Sequence, residues 1–142
     1  MSDHVATAET EIDASPDRVW EALTDPEQIK EYMFGSEVVT DWTKGSPIVW
    51  KGEYEGRQYE DKGEVVEVQP DHRLTVTHYS PLSGQPDEPA NYHTVTYELR
   101  GSGRGTHVAL SQDNNGSDQE AEHSAANWQM MLDGLKNHIE AG

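Results

Sequence analysis

The sequence predicts an α+β fold in which a strongly curved antiparallel sheet of about seven strands wraps around one long C-terminal helix. Three observations carry this expectation. First, Ala121, Ala125, Trp128, Leu132, Leu135 and Ile139 recur at spacings of 4, 3, 4, 3 and 4. That is one apolar stripe on a helix roughly six turns long at about 3.6 residues per turn. Second, most of the chain between Glu37 and Asp113 alternates with a period of two and is cut by short turns. Third, two short segments that each start at a proline read as helices joined almost without a linker. A helix that long needs a broad apolar surface, and strands in meander supply one.

Taken in order, Val5 to Asp13 alternates loosely and reads as the first strand. Ser15-Pro16-Asp17 opens a helix, with Ser as N-cap, Pro at the first helical position and an acid beside it. Val19, Trp20 and Leu23 form its apolar face. Asp25 and Gln28 stand in capping-box register for a second helix, which buries Ile29, Tyr32 and Met33 and stops at Gly35. Val38, Thr40 and Trp42 then alternate with acids up to the turn Lys44-Gly45-Ser46-Pro47. Ile48, Trp50 and Tyr54 share one face of the next strand. Glu55-Gly56 turns it back into a long strand from Tyr59 to Val68, closed by Pro70-Asp71. Leu74, Val76 and His78 alternate with Thr75, Thr77 and Tyr79.

Pro81, Gly84, Pro86 and Pro89 break the pattern over a loop from Ser80 to Asn91, of a length that is usually functional or mobile. Val95, Tyr97 and Leu99 mark the next strand, Gly101-Ser102-Gly103-Arg104-Gly105 a hairpin turn, and Val108 and Leu110 the last strand. Asp113-Asn114-Asn115-Gly116 leads to Ser117, which forms a capping box with Glu120. Acids at the start of the long helix and Lys136 and His138 near its end suit the helix dipole. The whole is a helix-grip arrangement, one domain over residues 1–142, with the short helix pair closing an end.

The composition is unusual for a folded chain: 33% hydrophobic residues with a formal charge of −17. Those two values alone suggest disorder, but capped helices and alternating strands rich in Trp and Tyr argue for a thin, aromatic core. The charge comes from 27 acids against 10 Lys and Arg, spread along the chain. Such a surface repels itself until salt shortens the Debye length to about 3 Å near 1 M. This points to a halophilic protein of a high-salt cytoplasm, with an ordinary acidic protein as the alternative. Nucleic acid and anionic membrane surfaces are poor partners for it. There are no cysteines, which excludes disulfides, thiol catalysis and Cys-type zinc sites. The start of the chain has no apolar signal region, and nowhere do 18 apolar residues run together. The expectation is a soluble, cytoplasmic protein, in which Asn115-Gly116-Ser117 is a turn rather than a glycosylation site.

Ile12-Asp13-Ala14-Ser15-Pro16-Asp17-Arg18-Val19-Trp20-Glu21-Ala22-Leu23-Thr24-Asp25-Pro26-Glu27 resembles the opening motif of the START-like (SRPBCC) superfamily, which includes the birch-pollen allergen. The closing Asn127-Trp128-Gln129-Met130-Met131-Leu132-Asp133-Gly134-Leu135-Lys136 is similar to the Gly-Trp…Leu…Leu helix of the branch of heat-shock-protein-90 ATPase activator homologues. Gly63 to Val68 and Asn91 to Leu99 fit the middle strands of that branch. The resemblance implies a helix-grip fold around a hydrophobic cavity, used across the superfamily for lipids, sterols, polyketides and other small apolar molecules. It also implies a chaperone as an alternative partner.

No G-x-S-x-G, Walker loop, H-E-x-x-H or dinucleotide fingerprint is present, and none of the seven histidines forms a close metal-type pair. No metal and no cofactor is expected. His78 and His93 are the acid/base candidates. By strand parity His78 lies with Leu74 and Val76, and His93 with Val95, Tyr97 and Leu99, so both are placed to face a cavity. Glu64 is a third candidate, although Val65 on the opposite parity leaves the facing of its strand open. Trp50, Tyr54, Tyr97, Trp128 and Met131 are the candidate cavity lining, with plain core packing as the alternative for each. Tyr32 and Met33 are placed to close the mouth together with the Ser80–Asn91 loop. The expected function is binding of a small apolar ligand by a monomer or weak dimer. A cyclase-, dehydratase- or hydrolase-like enzyme and a chaperone-associated module are the alternatives.

Overall fold

The computed structural model describes residues 4–33, 35–54, 56–80, 86–103, 105–115 and 117–141; the side chains of His4, Tyr54, Pro89 and Ser102 are also outside the described set. Glu55, Arg104, Gly116 and the loop segment 81–85, which the sequence places in turns, therefore lie outside the described residues. Strand β1 (His4–Ile12) leads into helices α1 (Pro16–Thr24) and α2 (Pro26–Tyr32). Strands β2 (Glu37–Val39), β3 (Pro47–Tyr54), β4 (Arg57–Gln69) and β5 (Arg73–His78) follow. After a 3-10 turn at Pro89–Asn91 come β6 (His93–Ser102), β7 (Gly105–Asn115) and the long helix α3 (Asp118–Ala141).

The seven strands form one antiparallel, curved sheet in the order β1-β7-β6-β5-β4-β3-β2. Strands β1 and β2 are neighbours in sequence but stand at opposite edges, so α1 and α2 must carry the chain across. The helix starts follow the sequence with two adjustments. Asp25 accepts the Glu27 N–H at 3.1 Å, and Gln28 Nε2 bonds its carboxylate at 3.0 Å, closing the box on the side chain rather than the backbone. The Ser15 hydroxyl bonds the Asp17 carboxylate and makes no cap bond, so α1 starts at Pro16 without a side-chain cap. Ser117 Oγ accepts the Glu120 N–H at 3.1 Å, as the capping box requires.

Two strands differ from the alternation read in the sequence. Strand β2 stops at Val39, and Trp42 sits at φ 58, so the expected run through Trp42 bends out of the sheet. In β4 the register slips between Val65 and Glu67: Val65 pairs with Val76, but Val68 pairs with Leu74. The extra residue is a β-bulge. It lets Val65, fully buried, and Val68, partly buried, both face inward although their parities differ, while Val66 is exposed. The ambiguous facing of this strand is resolved there.

Helix α3 buries Ala121, Met131, Leu132, Leu135 and Ile139 against a sheet face that presents Val65, Val76, Val95, Val108 and Leu110. Its flank also closes the free edge of β1. Gln129 Nε2 donates to the Glu9 carbonyl at 3.0 Å, Lys136 Nζ donates to the Glu11 carbonyl at 2.8 Å, and Glu140 accepts the Asp13 N–H at 2.9 Å. Side chains along the helix thus replace the neighbouring strand that β1 lacks.

Candidate ligand cavity

Between α3 and the β3–β6 half of the sheet lies a cavity of about 640 Å³. Its apolar wall is Trp50, Val76, Val95 and Tyr97 from the sheet, Trp128 from α3, and Met33 after α2. The polar groups are concentrated on β4 and its neighbours: Asp61, Tyr59, Glu53 and His78, with Ser36, Ser80 and Asn127 around them. Met130, 58% exposed, stands on the helix flank beside Asn127, three residues away. Long aliphatic side chains that would fill this space are scarce in the sequence, and the aromatics cover the walls rather than the middle.

Local chain geometry puts each polar group in place. A side chain at Gly52 would come within 2.5 Å of the Tyr59 hydroxyl, so the glycine leaves room for the Tyr59 ring, which pairs with Gly52 across the β3–β4 ladder. The Tyr59 hydroxyl meets Ser36 Oγ at 2.5 Å. A Cβ on Gly63 would lie 1.8 Å from the Thr77 carbonyl oxygen, so only glycine allows β4 and β5 to approach this closely. That approach brings Asp61 on β4 to His78 on β5, with Nε2 and Oδ2 2.9 Å apart.

Because a carboxylate oxygen accepts, His78 Nε2 carries a proton, and in the neutral ring Nδ1 is left as an acceptor. Among the described residues, neither His78 Nδ1 nor Asp61 Oδ1 has a hydrogen-bond partner, although both are shielded from solvent. The His78 ring meets Trp50 edge-on at 5.0 Å and stacks on His93 at 6.4 Å. His93 Nδ1 donates to the Asp113 carbonyl at 2.9 Å, which holds its ring. On α3, Trp128 Nε1 donates to Oε1 of the buried Gln112 of β7, so the indole is oriented by its polar edge. Burial pushes the Tyr97 and Tyr32 hydroxyls above their ordinary acidity range, so both stay neutral.

The residues expected at the site take different places in the structure. Trp50, His78, Tyr97, Trp128 and Met33 all border the cavity. His93 touches it only through the His78 ring. Met131 and Tyr32 are core residues, 3% and 5% exposed. Met131 joins the Leu132–Leu135 stripe, and the helix turn puts Met130 at the cavity instead. Tyr32 donates its hydroxyl to the Ala22 carbonyl at 2.9 Å and borders a separate void of about 30 Å³. Glu64 faces outward: it is exposed, its N–H donates to Thr77 Oγ1, and it lies in an outer groove with Lys62 and Asp87. The Tyr54 side chain is outside the described residues. Asp61 and Tyr59 are missing from the sequence reading, yet they share the parity of Val65. Taking Val65 rather than Glu64 as the inward residue finds them both.

Ser80 borders the cavity, and the described end of the following loop is fastened to the outer face. Lys62 and Asp87 form an ion pair, Tyr92 donates to Asp87 at 2.6 Å, and Tyr92 stacks on Tyr79 at 5.2 Å. Lys62 and Tyr92 together hold the Asp87 carboxyl below its usual range.

A curved antiparallel sheet closed on a long C-terminal helix, with a helix pair after the first strand and a cavity between, defines a START-like helix-grip domain. Within that class, a sequence model of the family described as Activator of Hsp90 ATPase homolog 1-like protein matches residues 13–140, and the chain belongs to that family. The solution structure of ChR145 from Cytophaga hutchinsonii is 49% identical, covering 99% of this chain and 97% of that one with a TM-score of 0.86. The crystal structure of DynU16, a protein of the dynemicin biosynthetic locus, is 22% identical at a TM-score of 0.82, covering 99% of this chain and 49% of that one. The Aha1 dimer from Colwellia psychrerythraea is 21% identical at 0.74, covering 97% of each chain. No curated protein matches the chain. Among the described residues, no helix is long and apolar enough to cross a membrane.

Proposed function

We propose that this domain binds a small, largely apolar molecule, such as a lipid, a polyketide or an aromatic metabolite, in the cavity between the sheet and α3. The observation that carries the reading is the cavity itself: about 640 Å³ with an aromatic and aliphatic wall and a few convergent polar groups. Sites for small molecules commonly enclose about 300–1,000 Å³ and have this lining. Burial of ligand surface, roughly 25 cal/mol per Å² before binding costs, supplies the driving force. The DynU16 likeness, a protein of a biosynthetic locus for a small molecule, agrees with it. Titration with a lipid and polyketide library, followed by amide and indole NMR shifts, tests the reading. Shifts at Trp50, Val95 and Trp128 are expected; a library that moves none of them removes it.

One observation favours a second reading, acid–base turnover of the bound molecule. His78 borders the cavity and is oriented by Asp61, as a general base is by a carboxylate. Product formation from a bound ligand, lost in His78→Gln with binding retained, separates turnover from binding. The family description also makes a chaperone a candidate partner. Capture of an Hsp90-type protein from native cytosol at high salt is its test, and size measurement over concentration tests the weak dimer.

A further inference from the structure

The polar side of the cavity has a definite chemical bias, and it narrows the ligand class if the binding reading above holds. Two of the lining groups are carboxylates, Glu53 and Asp61, and no lysine or arginine stands among the described lining residues. The chain as a whole carries −17, so the field at the mouth has the same sign. An anionic head group entering this space loses its hydration and meets two carboxylates and no lysine or arginine among the described lining residues. Carboxylates and phosphates are therefore disfavoured, which removes fatty acids and phospholipids from the expected ligands.

The dyad biases the site further. With Nε2–H committed to Asp61 and the ring in its neutral form, the two unpartnered atoms, His78 Nδ1 and Asp61 Oδ1, are both acceptors. Buried acceptors without donors are rare in folded proteins and call for an explanation at each site. Both residues border the cavity while the two free acceptors are turned away from it, so a ligand O–H or N–H meets the demand once the Asp61 carboxylate or the imidazole turns inward on binding. The aromatic walls beside the dyad, Trp50, Tyr97 and Trp128, favour a flat partner.

We propose that the cavity selects flat, apolar molecules carrying hydroxyl or amine donors, neutral or cationic, and rejects carboxylates and phosphates of the same ring size. Three probes of one ring system test it on the full chain at neutral pH: 2-naphthol, 2-naphthoate and 2-methylnaphthalene, each titrated with NMR shifts of the cavity residues and the His78 ring. The expected result is a Kd for 2-naphthol at least tenfold below those of the other two, with His78 ring shifts in that titration alone. In Asp61→Asn the preference for 2-naphthol over 2-naphthoate should fall below threefold. If that variant does not fold, the wild-type series still decides. Equal binding of all three probes, or tighter binding of 2-naphthoate, overturns the selection while leaving apolar binding in place. No shift at the cavity with any probe overturns both.

Discussion

His107 is gripped at both ring nitrogens, by Glu11 at 2.6 Å from Nδ1 and by Glu9 at 2.8 Å from Nε2, across the β1–β7 ladder. Two acceptors demand two donors, so this imidazole is the charged form, and Glu11 first and Glu9 second raise its pKa above 6.5. A folded pKa above the unfolded one adds stability that is complete below about pH 6.5. That contribution is lost as pH rises through the folded value. Both carboxylates are more than half exposed, so salt should weaken the effect. NMR titration of the ring protons should give a midpoint above 6.5 that falls in Glu11→Gln and in 1 M KCl; a midpoint unmoved by the variant would contradict the geometry. Gly63 sets the opposite kind of limit. An added Cβ meets a backbone oxygen at 1.8 Å, which no rotamer relieves. Gly63→Ala should lose about 3 kcal/mol or more in urea unfolding, at or beyond the upper end for overpacking. At this scale the sequence named His78 as an acid/base candidate and passed over Asp61. It could not show that Asp61 reaches His78, because that contact depends on the register of two strands and a glycine between them.

At the scale of elements, α3 behaves as the sequence stripe requires, but its polar flank has a role that no periodicity displays. Gln129, Lys136 and Glu140 bond the outward backbone groups of Glu9, Glu11 and Asp13, so the helix covers an edge strand. In Gln129→Ala/Lys136→Ala/Glu140→Ala the Asp13 amide should lose hydrogen-exchange protection. Self-association should also increase at high concentration, since a bared edge is a template for another strand. Unchanged exchange at Asp13 would show that water serves the edge as well. Gly134, in the middle of α3, looks like a helix defect. A Cβ there would sit 3.4 Å from the Tyr32 carbonyl oxygen, an ordinary contact, and so nothing is displaced. Gly134→Ala should therefore be stabilising by up to about 1 kcal/mol from helix propensity, read as a higher urea midpoint. The strands were legible by parity except where backbone irregularities intervened. Trp42 at φ 58 ended β2 early, and the bulge after Val65 inverted the facing that Glu64 was given.

For the whole molecule the governing quantity is the charge of −17 around a core that is mainly Ile, Leu and Val rather than the aromatic one expected, with Tyr32, Tyr79 and Tyr97 as its buried aromatics among the described residues. Self-repulsion opposes the compact state and is screened by salt. The melting temperature should rise steadily between 0.1 and about 1 M KCl, where the Debye length shrinks from about 10 Å to 3 Å. A flat profile would assign the acidity to solubility alone. The sequence by itself determined the architecture, because that follows from local signals: caps, proline starts, a 3.6-residue stripe and two-residue alternation each act within a few residues. It also determined the acidic surface, which needs only counting. The tertiary structure alone decided whether the aromatics meet or leave a space between sheet and helix, and which polar groups border it. Those outcomes depend on strand register, one bulge, two close-approach glycines and the rotation of α3, and none of them is a property of a single segment.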